Sequence, residues 1–91
     1  MKLGYTLRAA RQIEQAPAYV ARQSPRGAAS VQGRVLAITA VLQQFPETGH
    51  ATTRAGVRRI AVSPHPYLID YRIVADEIVV LRFRHAARKP A

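Results

Sequence analysis

The side chains with chemistry to offer are concentrated in the last third of the chain, VRRIAVSPHPYLIDYRIVADEIVVLRFRHAARKP, residues 57–90. Arginine dominates: Arg58, Arg59, Arg82, Arg84 and Arg88, followed by Lys89. Guanidinium groups hold carboxylates and phosphates through paired N–H donors. The set could therefore seat an acidic protein segment or a nucleic-acid backbone, or simply solvate a strand edge and discourage aggregation. Adjacent strand residues point to opposite faces, so one of Arg58 and Arg59 can lie on an open face, while Arg82 and Arg84 share a face. His85 closes this segment's last strand and is the catalytic candidate, although a lone histidine there more often serves as a structural hydrogen-bonder. His50 and His65 fall in loops without a partner at ligand spacing, so no metal site is expected. Tyr67 and Tyr71 share a strand face with Ile69 and Ile73, the pattern of a core face more than of a base-stacking platform. Asp70 lies on the other face and could pair across strands with an arginine, and Glu47 sits in a turn. Phosphate-cradling glycine loops, a nucleophile elbow and paired carboxylates are absent from the sequence, which argues against an ordinary hydrolase or kinase, and no cofactor is expected.

These residues need a scaffold. Leu3 to Leu7 reads as a short strand with Tyr5 and Leu7 on one face. From Arg8 to Gln23 the period becomes helical, with Ala9, Ile13, Ala16 and Val20 at three- and four-residue spacing and a kink or break expected at Pro17. Ser24-Pro25 is a good opening for a second helix, an N-cap followed by proline at the first helical position. Ala28, Val31, Val35, Ile38, Leu42 and Phe45 then form an apolar stripe, opposite Arg26, Gln32, Arg34, Thr39 and Gln43. Pro46 and Gly49 end this helix, and PETGHATTRAG, residues 46–56, is a polar connector with a short strand around Ala51 to Arg54.

After Gly56 the period is two. Strands are expected at 57–62, 67–74 and 77–84, joined by the rigid Pro64-His65-Pro66 turn and the two-residue Ala75-Asp76 turn. In the last strand, strict alternation sets Val79, Leu81 and Phe83 opposite Ile78, Val80, Arg82 and Arg84. Sequential strands with short turns are antiparallel. The expected architecture is thus α+β: a two-helix hairpin packed on a small antiparallel sheet, in β-α-α-β-β-β order, forming a single domain over residues 1–91.

A chain of 91 residues buries only about 60% of its unfolded surface or slightly more, so its core is thin and a partner chain would add stability. It contains no cysteine, which fits a reducing cytoplasm. The opening MKLGYTLRAARQIEQ lacks the apolar stretch of a signal peptide, and the longest apolar run is far short of a membrane span. The formal charge is +9, from 14 basic and 5 acidic residues. Six of the basic residues fall in the first 45 positions and eight in the remainder, so the excess is distributed along the chain. Such a field favours an acidic protein, nucleic acid or an anionic surface without choosing among them.

The ordered set of elements resembles the ParE/RelE superfamily, toxins of bacterial type II toxin–antitoxin modules. The likeness spans nearly the whole chain. It rests on Ala10 and Tyr19-Val20 in the first helix, SPRGAA at residues 24–29, FPETG at residues 45–49, and VRRIAVSPHPYLIDYRI followed by IVVLRFRHAAR. No single piece is specific; the ordered set is. The resemblance implies one of two activities, poisoning of DNA gyrase (ParE-like) or ribosome-dependent cleavage of messenger RNA (RelE-like). RNA cleavage by 2′-hydroxyl attack needs a proton acceptor, phosphate-holding cations and a leaving-group donor. RelE-like nucleases are expected to carry a basic residue where this chain has Leu68, often another where it has Ala61, and in some members a late tyrosine or a His-Tyr pair. Here Ala86-Ala87 follow His85, and Tyr71 is the last tyrosine.

The favoured reading is therefore a gyrase-inhibiting toxin that acts by binding in the bacterial cytoplasm. A cognate antitoxin would wrap a helix and an extended segment around it in a hetero-oligomer, with Arg58, Arg59, Arg82, Arg84, Arg88 and Lys89 meeting target or antitoxin. The alternatives are a RelE-like nuclease acting on ribosome-bound mRNA and, outside the toxins, a basic nucleic-acid-binding module. The last lacks interleaved aromatics and a helix-turn-helix signature.

Overall fold

The computed structural model describes residues 1–21, 25–63 and 65–86; for residues 16–21, 25, 27 and 28 it describes the backbone alone. Ser24, Pro64, Arg88 and Lys89 thus lie outside the described residues, as do the side chains of Ala16, Val20 and Ala28. The element order is β1 (Lys2–Tyr5), α1 (Leu7–Ala21), α2 (Pro25–Gln44), β2 (His50–Ala51), β3 (Val57–Ala61), β4 (Tyr67–Val74) and β5 (Glu77–His85). The five strands form one sheet ordered β1-β5-β4-β3-β2. The α+β hairpin-on-sheet architecture expected from the sequence is present. The sheet is mixed, because β1 pairs parallel to β5 while the other three pairings are antiparallel. A parallel partner needs a long crossover, and here the helical hairpin begins the path back from β1.

Thr6 explains why the first strand stops before Leu7. Its N–H continues the ladder to the Val80 carbonyl (3.0 Å), while its Oγ1 accepts from the Ala9 N–H (3.1 Å) and caps α1. Leu7 becomes the first helical residue and is exposed. Helix α1 continues through Pro17, so the break expected there does not occur. In α2, Val31, Val35, Ile38 and Leu42 are buried as the stripe requires. Two positions differ from expectation. Phe45 is 63% exposed: Pro46 disfavours helical geometry at the preceding residue, and the chain leaves the helical path there. Thr39 is buried, because its hydroxyl is satisfied by the Val35 and Leu36 carbonyls (3.0 Å each) and its methyl can join the apolar side.

The core fills the space between the hairpin and one sheet face. Ala9, Val31, Val35, Ile38 and Leu42 meet Tyr67, Ile69, Tyr71, Ile78, Val80 and Phe83. Strict alternation along β5 fails at one point. The register against β4 slips between Asp70 and Tyr71, where Asp70 pairs Arg82 and Tyr71 pairs Val80, leaving Leu81 as an extra residue. This bulge reverses the phase: Ile78 and Val80 join Phe83 in the core, and Arg82 and Arg84 share the outer face with Val79. The Thr6 hydroxyl donates to the Leu81 carbonyl (3.1 Å), and Gln12 Oε1 of α1 accepts the Phe83 N–H (2.9 Å) beyond the end of β1. Two side chains from outside the strands thus complete the irregular stretch.

Candidate functional site: the open arginine face

The face turned away from the helices is built from three rows across β3, β4 and β5. Val57 lies beside Arg72 and Val79, Arg59 beside Asp70 and Arg82, and Ala61 beside Leu68 and Arg84. β2 extends the middle row with His50 opposite Arg59. Of the adjacent pair on β3, Arg59 is therefore the residue on the open face.

Asp70 is the centre of the middle row. It is 2% exposed although it lies on the outer side, because arginines from both neighbouring strands close over it. Arg59 Nε donates to Oδ1 at 2.7 Å and its Nη2 to Oδ2 at 3.2 Å, a two-pronged pairing. Arg82 Nη2 lies 3.5 Å from Oδ2. The hydrogen bond that Arg59 donates to Asp70 raises the already high pKa of the guanidinium; burial opposes the rise and the attraction of the two charges adds to it. The cross-strand ion pair expected at Asp70 is thus present, and it includes two of the candidate arginines. Arg84 is half-buried in the next row.

Arg58 points the other way and serves the fold. Its Nη1 donates to the Gly49 carbonyl at 2.9 Å and to the Glu47 carbonyl at 3.3 Å. The Tyr71 hydroxyl donates to the Pro46 carbonyl (2.7 Å) and accepts from the Gly49 N–H (2.8 Å). Together they pin the 45–49 turn to the sheet. A Cβ on Gly49 would stand 2.6 Å from the Tyr71 oxygen, so close approach demands glycine here. Burial pushes the Tyr71 phenol pKa up; the Gly49 N–H and the Arg58 charge pull it partly back, and Glu47 adds a further push.

His85 is on the core side, paired in register with Tyr67 and set edge-on to that ring at 5.4 Å. Tyr67 in turn stacks on Phe83 at 4.9 Å. The catalytic candidate and the open-face arginines therefore lie on opposite sides of the sheet. His65 meets the Ser30 hydroxyl (Nε2 to Oγ, 2.9 Å), and Arg34 Nε donates to the Ser63 carbonyl (2.8 Å), so both hold the β3–β4 turn against α2. Among the described residues, no group of three or more His, Asp or Glu side chains is placed to hold a metal ion, and no helix is long and apolar enough to cross a membrane.

A second surface was not anticipated from the sequence. Tyr5, Ala10, Ile13, Gln32, Val35 and Leu36 line an apolar groove of about 370 Å³ between β1 and the two helices. Leu36 is 69% exposed. Its signal was present, since it follows Val35 directly and falls off the buried stripe, leaving an apolar side chain without a core position.

The described fold is thus a helical hairpin on one side of a small mixed sheet, with an apolar groove along the hairpin and an arginine cluster on the outer face. The chain belongs to the family of the ParE toxin of the type II toxin–antitoxin system parDE, whose family model matches residues 3–90. It is 31% identical to the toxin-type protein Y4kP of Sinorhizobium fredii over 85 residues, 93% of this chain and 88% of that protein. It is 34% identical over 70 residues to toxin RelE2 of Caulobacter vibrioides, covering 77% of each chain. A solved chain of the chromosomal ParDE toxin–antitoxin system from P. aeruginosa superposes with a TM-score of 0.80 at 25% identity, over 93% of this chain and 95% of that one. The protein is accordingly a toxin component of the type II toxin–antitoxin class.

Proposed function

We propose that this toxin acts by binding DNA gyrase in the cytoplasm, without turnover, and that a cognate antitoxin neutralises it. The observation that carries the reading is the composition of the open face. Arg59 and Arg82 are engaged by Asp70, the positions beside them are Leu68 and Ala61, and His85 is on the far side of the sheet. Among the described residues, a proton acceptor, phosphate-holding cations and a leaving-group donor are not gathered at one point, as mRNA cleavage requires. Arg82 and Arg84 would supply the target contacts; Arg88 and Lys89, which lie outside the described residues, are proposed to add to them as cations of the same segment of sequence. The groove beside Leu36 would take an apolar antitoxin helix, whose acidic flanks would complement the chain's charge of +9.

The deciding experiment is supercoiling by purified gyrase with the toxin added. Inhibition, together with filamentation and an SOS response on induced expression, is expected. Codon-specific cuts in translated messages with intact supercoiling would replace this reading by a RelE-like one, the second reading that the likeness to RelE2 keeps in view. Alanine at both Arg82 and Arg84 is expected to reduce toxicity while the protein stays folded; undiminished toxicity would remove these residues from the target contact.

A further inference from the structure

We infer that Asp70 is a specificity-determining residue: its carboxylate keeps the arginine face from binding a nucleic-acid strand. The inference rests on the binding reading above and adds to it why a basic sheet face would be unsuited to RNA or DNA. The Nε/Nη2 edge of Arg59, one of the two edges with which a guanidinium can grip a phosphate through parallel hydrogen bonds, is spent on Asp70 at 2.7 and 3.2 Å. Arg82 Nη2 is turned to the same carboxylate at 3.5 Å. Asp70 itself is 2% exposed, so it cannot swing into solvent when a phosphate arrives. Any phosphate seated on Arg59 or Arg82 would share its guanidinium with a fixed negative charge already in contact with it. A protein partner can meet the outward N–H groups with neutral carbonyls, whereas a polynucleotide brings a phosphate at every step.

The test is fluorescence anisotropy of a short fluorescein-labelled single-stranded RNA of mixed sequence, titrated with the full chain over a salt series. Asp70→Asn preserves side-chain size and removes the charge. It is expected to bind about tenfold more tightly at low salt, with the slope of log K against log salt steeper by roughly 0.7–1.4, one or two added phosphate contacts. Glu77→Gln removes one negative charge from the same face at the end of β5, opposite Val74, and is expected to gain much less. Equal gains in the two variants would mean that only net charge matters and would overturn the inference, as would a folded Asp70→Asn protein with the affinity and slope of the parent. Should Asp70→Asn not fold, single glutamine substitutions decide: loss of exposed Arg72 should weaken RNA binding more than loss of Arg82, and the reverse order or equality would refute the role of Asp70. Cleavage of translated message by the parent protein would overturn the gyrase reading, yet leave this comparison of affinities standing.

Discussion

Tyr71→Phe removes one oxygen from a fully buried ring and should destabilise the domain severely. The hydroxyl makes two short hydrogen bonds, to the Pro46 carbonyl at 2.7 Å and from the Gly49 N–H at 2.8 Å. Phenylalanine leaves a buried amide N–H at Gly49 and a half-buried carbonyl at Pro46 without these partners. A buried unsatisfied group costs about 1–3 kcal/mol. Assigning roughly 2 to the amide and up to about 1 to the more accessible carbonyl gives ~2–3 kcal/mol. In a domain of this size, 1 kcal/mol shifts Tm by about 4–8 °C, so a fall of roughly 10–20 °C is expected. Thermal unfolding followed by far-ultraviolet circular dichroism measures it. A fall of less than about 4 °C, equivalent to under ~1 kcal/mol, would refute the account of the turn as pinned by this hydroxyl. Gly49→Ala should be at least as harmful. Adding Tyr71→Phe should not rescue it, because the new Cβ would also stand 2.7 Å from the ring's Cε1.

The remaining predictions concern pH, the ion pair, the groove and the hairpin. The raised native pKa of Tyr71 means that its contribution is whole below the unfolded value near 10 and is lost as pH rises towards the native value, since the unfolded state ionises first. The urea-midpoint gap between the parent and Tyr71→Phe should therefore narrow above about pH 10, and a constant gap would contradict the shift. Arg59→Ala should cost about 1–3 kcal/mol in urea unfolding, less than the 3–5 of a fully buried pair, because the Arg59 side chain is 35% exposed and Arg82 remains near Asp70. Leu36→Glu should change stability by no more than ~0.5 kcal/mol yet weaken calorimetric binding of the antitoxin by roughly tenfold or more, the value of one buried leucine; unchanged affinity would remove the groove from the interface. Ala75 has φ of +53° in the β4–β5 turn, so Ala75→Gly should raise stability by up to about 1 kcal/mol, and a loss would show that the turn carries no such strain.

The local elements were legible because each follows from short-range periodicity and turn chemistry. β4 begins at Tyr67 and ends at Val74 as its alternation implies, and Ala75-Asp76 is the turn. The buried stripe of α2 was readable from Val31 to Leu42. Misreadings fell where a residue's fate depends on something distant. Thr39 looks polar and outward until its own helix satisfies the hydroxyl, and Phe45 looks like core until Pro46 diverts the chain. The site showed the same division. The sequence placed Arg59 or Arg58 on the open face and Asp70 within reach of an arginine, but it could not say which arginines Asp70 would bind.

By itself, then, the sequence determined the class of fold, the order of elements and the concentration of arginine on the last strands, because helical and strand periods are local properties of the chain. Only the tertiary structure decided three things that bear on function. It set β1 parallel beside β5, placed the bulge at Leu81 that turns Arg82 and Arg84 outward, and closed Arg59 and Arg82 over Asp70. Each depends on register between strands distant in sequence, and a slip of one residue exchanges the faces of everything beyond it. Such a slip in β5 is what assigns its arginines to the outer surface.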